Sequence, residues 1–226
     1  IVDISNPTAP VQISTTSVGT SPYSIYVSGK YAYVANMGSN NISIVDISNP
    51  TAPVQISTAS VGYLPLSIYV SGKYAYVVNM GLNNISIVNI SNPTAPVQVS
   101  TAAVGTNPRS IYVSGKYAYV ANVGSNNISI VDISNPTAPV QISTASVGYL
   151  PLSIYVSGKY AYVVNMGLNN ISIVNISNPT APVQVSTAAV GTNPRSIYVS
   201  GKYAYVANVG SNNISIVDIS NPTAPV

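Results

Sequence analysis

The sequence predicts an all-β fold, a β-propeller of five four-stranded antiparallel blades, and three observations carry that reading. The first is a fixed period. Ser-Ile-Tyr-Val-Ser-Gly-Lys-Tyr-Ala-Tyr-Val begins at Ser24, Ser67, Ser110, Ser153 and Ser196, every 43 residues. A period of this length with four short strands per unit is that of a propeller blade. The second is local pattern: β-branched residues and tyrosines alternate with small or polar ones, and no apolar period of 3.6 residues occurs. The third is an overlap, since residues 216–226 repeat residues 1–11.

Each strand of a unit is bounded by turn residues. Ser24-Ile25-Tyr26-Val27 stops at Ser28-Gly29-Lys30, and Tyr31-Ala32-Tyr33-Val34-Ala35 stops at Asn36-Met37-Gly38-Ser39-Asn40. The third strand runs from Asn41 to Ile47 and ends at Ser48-Asn49-Pro50-Thr51-Ala52-Pro53; the fourth begins at Val54 and leads into the next unit. A lone blade would leave two apolar faces wet, so blades must stack, and ring closure protects the end blades. Residues 11–18 form a fourth strand with no complete blade before them, and residues 196–219 supply three strands with none after them. The expectation is one propeller domain over 1–226, closed by residues 11–18 against 214–219. The redundant Ile1–Ile4 strand would then be displaced, frayed or paired between chains, a route to self-association.

A longer unit lies over the first: residues 58–140 recur at 144–226, so the blades run A, B, C, B, C. This suggests recent duplication of a blade pair, or deliberate construction. The chain opens on Ile1-Val2-Asp3-Ile4 without a starting Met or signal peptide, which reads as an internal segment or processed product.

Composition narrows the chemistry. Only 5% of residues are charged and 46% are apolar, eighteen of them tyrosine, which supports a sizeable core. The net charge of +3 reflects scarce acids more than clustered bases, so no nucleic-acid partner is expected. No apolar run reaches the ~18 residues of a membrane-spanning helix. The chain has no His, Glu, Cys or Trp. Its four acids, Asp3, Asp46, Asp132 and Asp218, share one repeat position that Asn89 and Asn175 occupy in the B blades, which argues for a turn role rather than an acid–base one. No metal or other cofactor is expected, and no enzyme activity.

The residues Tyr-Val-Ala-Asn-Met-Gly-Ser-Asn-Asn-Ile-Ser-Ile-Val-Asp (33–46) resemble the YVTN repeat of archaeal and bacterial surface-layer propellers. Ile-Val-Asp-Ile-Ser-Asn-Pro-Thr-Ala-Pro-Val (44–54) resembles the related LVIVD repeat. The resemblance extends over the whole chain and implies a propeller of a cell-surface or extracellular protein.

Variation among the units marks the candidate binding face. Ser-Gly-Lys and Ser-Asn-Pro-Thr-Ala-Pro are invariant, whereas the loop into the first strand reads Thr20-Ser21-Pro22-Tyr23 in A, Tyr63-Leu64-Pro65-Leu66 in B and Thr106-Asn107-Pro108-Arg109 in C. The loop after the second strand also varies, at Met37, Met80 and Val123 and at Ser39, Leu82 and Ser125. Antiparallel geometry puts both loops at one end of each blade. The candidate binding residues there are Tyr23, Tyr63, Leu64, Leu66, Leu82, Arg109, Tyr149, Leu150, Leu152, Leu168 and Arg195, with a protein or glycan as partner. Plugging of the channel mouth by the leucines is the competing explanation. At the other end, Lys30, Lys73, Lys116, Lys159 and Lys202 form a set expected to pair with the aspartates, a surface contact worth ~0–1 kcal/mol. Asn-X-Ser sequons at Asn41, Asn84, Asn89, Asn127, Asn170, Asn175 and Asn213 are candidate N-glycosylation sites. The expected function is a non-catalytic structural or interaction module. The alternatives are a glycan- or peptide-binding propeller using the variable face and an engineered or reconstructed repeat scaffold.

Overall fold

The computed structural model describes residues 1–226. All regular structure is β apart from two single turns of 3-10 helix, Met80–Leu82 and Met166–Leu168. A short hairpin, β1 (Val2–Asp3) and β2 (Val11–Gln12), precedes the first full sheet. Blade one is β3 (Pro22–Ser28), β4 (Tyr31–Asn36), β5 (Asn41–Asp46) and β6 (Val54–Ser60). Blade two is β7 (Pro65–Ser71), β8 (Tyr74–Asn79), β9 (Asn84–Asn89) and β10 (Val97–Ala103). Blade three is β11 (Pro108–Ser114), β12 (Tyr117–Asn122), β13 (Asn127–Asp132) and β14 (Val140–Ser146). Blade four is β15 (Pro151–Ser157), β16 (Tyr160–Asn165), β17 (Asn170–Asn175) and β18 (Val183–Ala189). The last sheet has three strands, β19 (Pro194–Ser200), β20 (Tyr203–Asn208) and β21 (Asn213–Asp218).

Each sheet is an antiparallel meander. Ser28 faces Tyr31, so Gly29-Lys30 is a two-residue hairpin turn, and Gly29 has a φ of 57° that only glycine adopts cheaply. The fourth strand carries a bulge beside Ile44 and Val45, where the pairing passes from Ser57 to Gln55.

Blades stack face to face. The leading face of blade two, with Ile68, Val70, Ala75, Val77, Val88 and Ile90, packs on the trailing face of blade one, with Tyr33, Ala35, Ile42, Ile44 and Ala59. The same arrangement joins every later pair. Period-two alternation sends odd and even residues of one strand to different neighbours, which is why strands buried on both faces read as nearly continuous apolar runs. Cross-blade hydrogen bonds fix the spacing. Ser57 Oγ donates to the Pro93 carbonyl at 2.5 Å, and the Ile68 N–H donates to Ser24 Oγ at 3.4 Å.

The ring closure expected between residues 11–18 and 214–219 does not form. Val11 pairs with Asp3 and Gln12 with Val2, the register that Val54 and Gln55 keep with Asp46 and Val45 in blade one. Val2 and Asp3 are therefore the third strand of a blade of which β2 is the fourth. A contact spanning nine residues costs far less chain entropy than one spanning the whole sequence, so local pairing wins. β21 keeps a free outer edge over most of its length, and Asp218 alone exchanges backbone hydrogen bonds with Val226.

Candidate functional site

The variable loops do share one end of the sheets. Pro108 of β11 stands opposite Asn122, the last residue of β12, while Asp132 and Tyr117 pair at the far end. All four carboxylates thus lie on the Gly-Lys side, and both arginines lie on the variable side.

At the variable end the innermost strands converge on a mouth of about 210 Å³, lined by Tyr23, Ser24, Leu66, Ser67, Arg109, Ser110, Leu152, Ser153 and Arg195. Arg109 Nη2 donates to the Tyr23 hydroxyl, and its guanidinium lies 5.6 Å from the centre of the Tyr23 ring, bridging blade three to blade one. Of the expected binding residues, the structure brings Tyr23, Leu66, Arg109, Leu152 and Arg195 together. Leu66 and Leu152 are 3% and 8% exposed, buried at the rim of the mouth. Tyr63, Leu82, Tyr149 and Leu168 stay exposed farther out. Leu64 and Leu150 hold φ of 55° at the tips of the loops, their carbonyls accepting from Met80 and Met166. Each tyrosine ring lies over a glycine, Tyr63 over Gly81 and Tyr149 over Gly167, where a Cβ would collide with it.

Ser24, Ser67, Ser110 and Ser153 of the mouth carry no site expectation in the sequence, because they read as strand starts. Their invariance beside a variable neighbour is the signal that could have found them. Beneath the mouth, Tyr26, Tyr69, Tyr112, Tyr155 and Tyr198 form a continuous arc with centroid separations of 4.7–5.2 Å. Burial pushes Tyr69 far above the usual phenol range, reinforced by hydrogen bonding to its neighbours, and raises Tyr155 to about 12.

Below the loops each blade repeats a buried polar network. Asn36 Nδ2 donates to Asn41 Oδ1 at 2.8 Å and to Ser43 Oγ at 2.9 Å, and the Gly19 N–H approaches Ser43 Oγ at 3.3 Å. Asn41 and Ser43 are the first and third residues of a sequon, and the Ser43 hydroxyl is fully buried. The sequon at Asn41 and its repeats at Asn84, Asn127, Asn170 and Asn213 therefore coincides with a structural network. Asn89 and Asn175 accept from the backbone N–H and the hydroxyl of Ser91 and Ser177, closing the turn before Asn-Pro.

At the same Gly-Lys end of the other blades the aspartates make the equivalent turn. The Ser48 hydroxyl and N–H hold the Asp46 carboxyl below the usual carboxylate range, with Lys30 a minor contributor. The lysines turn partly to aromatic faces, with Lys30 Nζ 5.6 Å from the Tyr31 ring centre and Lys202 Nζ 5.2 Å from that of Tyr203. No three His, Cys, Asp or Glu side chains cluster as metal ligands would. No helix is long and apolar enough to cross a membrane.

This architecture is shared with solved β-rich proteins of low sequence identity. A protein from Lactobacillus plantarum superposes with a TM-score of 0.84 at 16% identity, over 97% of this chain and 73% of that one. A protein from Bacteroides fragilis described as a putative 6-phosphogluconolactonase gives 0.78 at 20% identity, over 92% and 69%. The periplasmic gluconolactonase of Pseudomonas aeruginosa gives 0.75 at 18% identity, over 87% and 66%. These neighbours correct the expectation that the chain is no enzyme. Proteins built on the same scaffold are named as lactonases, so scarcity of acids and histidines in one chain is not a sufficient ground for excluding chemistry from it. No curated protein matches the sequence. The LVIVD repeat model, by contrast, matches residues 1–17, 21–59, 66–103, 105–145, 152–189 and 191–226. With matches along nearly its whole length, the chain belongs to the LVIVD repeat family.

Proposed function

We propose that the chain is a ligand-binding propeller module acting outside the cell, which takes the carboxylates of an acidic glycan at the mouth on its variable-loop face. The observation that carries this reading is the placement of charge. Arg109 and Arg195 line the mouth together with Ser24, Ser67, Ser110 and Ser153, while every carboxylate of the chain lies at the other end of the sheets. Two guanidiniums without acidic neighbours offer forked donors that fit a carboxylate, and the serine hydroxyls can donate to or accept from sugar hydroxyls. Tyr23 holds Arg109 in place by hydrogen bond and ring contact. The exposed Tyr63 and Tyr149 supply flanking aromatic surface of the kind on which sugar rings stack.

The test is calorimetric titration with oligogalacturonate, its methyl ester and a neutral oligosaccharide. Binding is expected for the acid alone, weakening with salt, and falling at least tenfold in a double Arg109→Ala, Arg195→Ala variant with an unchanged melting curve. Equal binding of ester and acid, or no effect of the double variant, would sink the reading. Hydrolysis of a sugar lactone, followed in the same samples, reports whether the mouth also supports chemistry.

A further inference from the structure

The polar side chains that line the mouth have many free donors and few free acceptors. A serine hydroxyl has one proton to donate and two lone pairs that accept. Ser24 Oγ accepts from the Ile68 N–H, Ser67 from Ile111, Ser110 from Ile154 and Ser153 from Ile197, at 3.3–3.4 Å. The bond comes each time from the following blade. It fixes the hydroxyl oxygen at the rim, occupies one lone pair and leaves the proton without an acceptor on the protein. Ser196 of the last sheet receives no such bond and stands outside the mouth.

The remaining polar groups are of the same kind. The Tyr23 hydroxyl accepts from Arg109 Nη2 and so keeps its own proton free. Of the five N–H donors that each guanidinium carries, Arg109 uses one on Tyr23 and Arg195 uses none. Side chains that could answer these donors are far off. The four carboxylates lie at the Gly-Lys end of the sheets, and the other lining side chains, Leu66 and Leu152, have nothing to accept with.

A site rich in donors and poor in acceptors discriminates by the protons of its ligand. An oxyanion that has lost every proton answers the donors. One proton left on it adds a further donor with nothing to receive it, and an unpaired donor held away from water is costly. We propose that the mouth selects its ligand by protonation state, taking sulfate esters and other fully ionised oxyanions and rejecting an acid that still carries a proton. This rests on the reading of the mouth as an oxyanion site and adds Ser24, Ser67, Ser110 and Ser153 as its specificity determinants. The ionisable groups facing the mouth are Arg109, Arg195 and Tyr23, with the tyrosine arc beneath. The chain has no histidine, so a pH effect on binding just below neutrality originates in the ligand.

The probes are the 6-sulfate and 6-phosphate esters of galactose, titrated calorimetrically into the full chain. A phosphate monoester loses its second proton near pH ~6, so at about pH 5 the two esters carry nearly the same charge and differ by one proton. The sulfate is expected to bind at least tenfold tighter there. Raising the pH to about 7 should strengthen phosphate binding at least fivefold and change sulfate binding less than twofold. Ser67→Ala combined with Ser110→Ala should bring the two esters within threefold of each other at the lower pH. Ser67→Thr combined with Ser110→Thr keeps the hydroxyls and should restore the gap. Melting curves report whether the variants fold, and the comparison of esters on the unaltered chain stands in either case. Equal affinity for the two esters at about pH 5, or a gap that survives loss of the hydroxyls, overturns the proposal and leaves the mouth an oxyanion site. Binding of oligogalacturonate without either ester also overturns it alone. No binding of any of the three overturns the oxyanion reading with it.

Discussion

Ile130 and Ile216 have the same local sequence, Asn-Ile-Ser-Ile-Val-Asp, and face the same strand partner, Tyr119 in one blade and Tyr205 in the other. Ile130 is fully buried and Ile216 is 58% exposed. Replacing each with Ala separates tertiary burial from everything local. The substitution removes three carbons, about 2.4 kcal/mol at ~0.8 kcal/mol per buried methylene, and at Ile130 it leaves a cavity that neighbouring blades cannot fill. A total of about 3–4 kcal/mol is expected there. At Ile216 less than half of the transfer energy is at stake and water fills the space, so the cost stays below about 1 kcal/mol. For a chain of this size each kcal/mol moves the melting temperature by ~2–4 °C. Ile130→Ala should therefore fall by roughly 6–16 °C and Ile216→Ala by under about 4 °C, read by far-ultraviolet circular dichroism with guanidinium unfolding as a second measure. Equal losses at the two positions would refute the reasoning, because they would mean that the trailing face of the last sheet is covered.

Three further outcomes follow from the packing and the titrating groups. Gly105→Ala places a Cβ 2.7 Å from the Asn122 side chain and should cost about 1–3 kcal/mol, whereas Gly115→Ala meets no atom and is resisted only by its φ of 58°. Burial raises Tyr119 and Tyr155 to about 12, above the ordinary value of 10.0. Because their folded values exceed the unfolded one, their contribution is complete below about pH 10 and lost as pH rises towards 12; melting temperatures across that range should fall together with the rise of tyrosinate absorbance. The four aspartates are held low by Ser5, Ser48, Ser134 and Ser220, so their contribution is present above the unfolded value of 3.8 and lost as pH falls through the folded values. Changing all four to Asn, the residue the B blades already use, should leave neutral stability unchanged and flatten the acid limb of a melting-temperature profile.

Much of this protein was written in its sequence. The 43-residue period, the Gly29-Lys30 turn and the Asn-Pro punctuation specify the blade, because strand alternation and turn chemistry act over a few residues and need no distant partner. The assignment of the loops to one end of the sheets was equally legible, since antiparallel pairing leaves no choice. What the sequence could not show is what lies against a face. Ile25 and Ile68, or Ile130 and Ile216, are indistinguishable as text and differ only in neighbours. For the same reason the sequence leaves Leu66 and Leu152 open between binding surface and plug while the structure buries them at the rim, and Ser24 reads as a strand start and becomes part of the mouth. The overlap of residues 216–226 with 1–11 implied a closed five-blade ring, but the angle between successive blades is set by side-chain packing across each interface, and only the tertiary structure shows where five such steps end. They leave β1 paired with β2 and the two apolar faces apart, because local pairing costs little entropy and blade packing fixes the curvature.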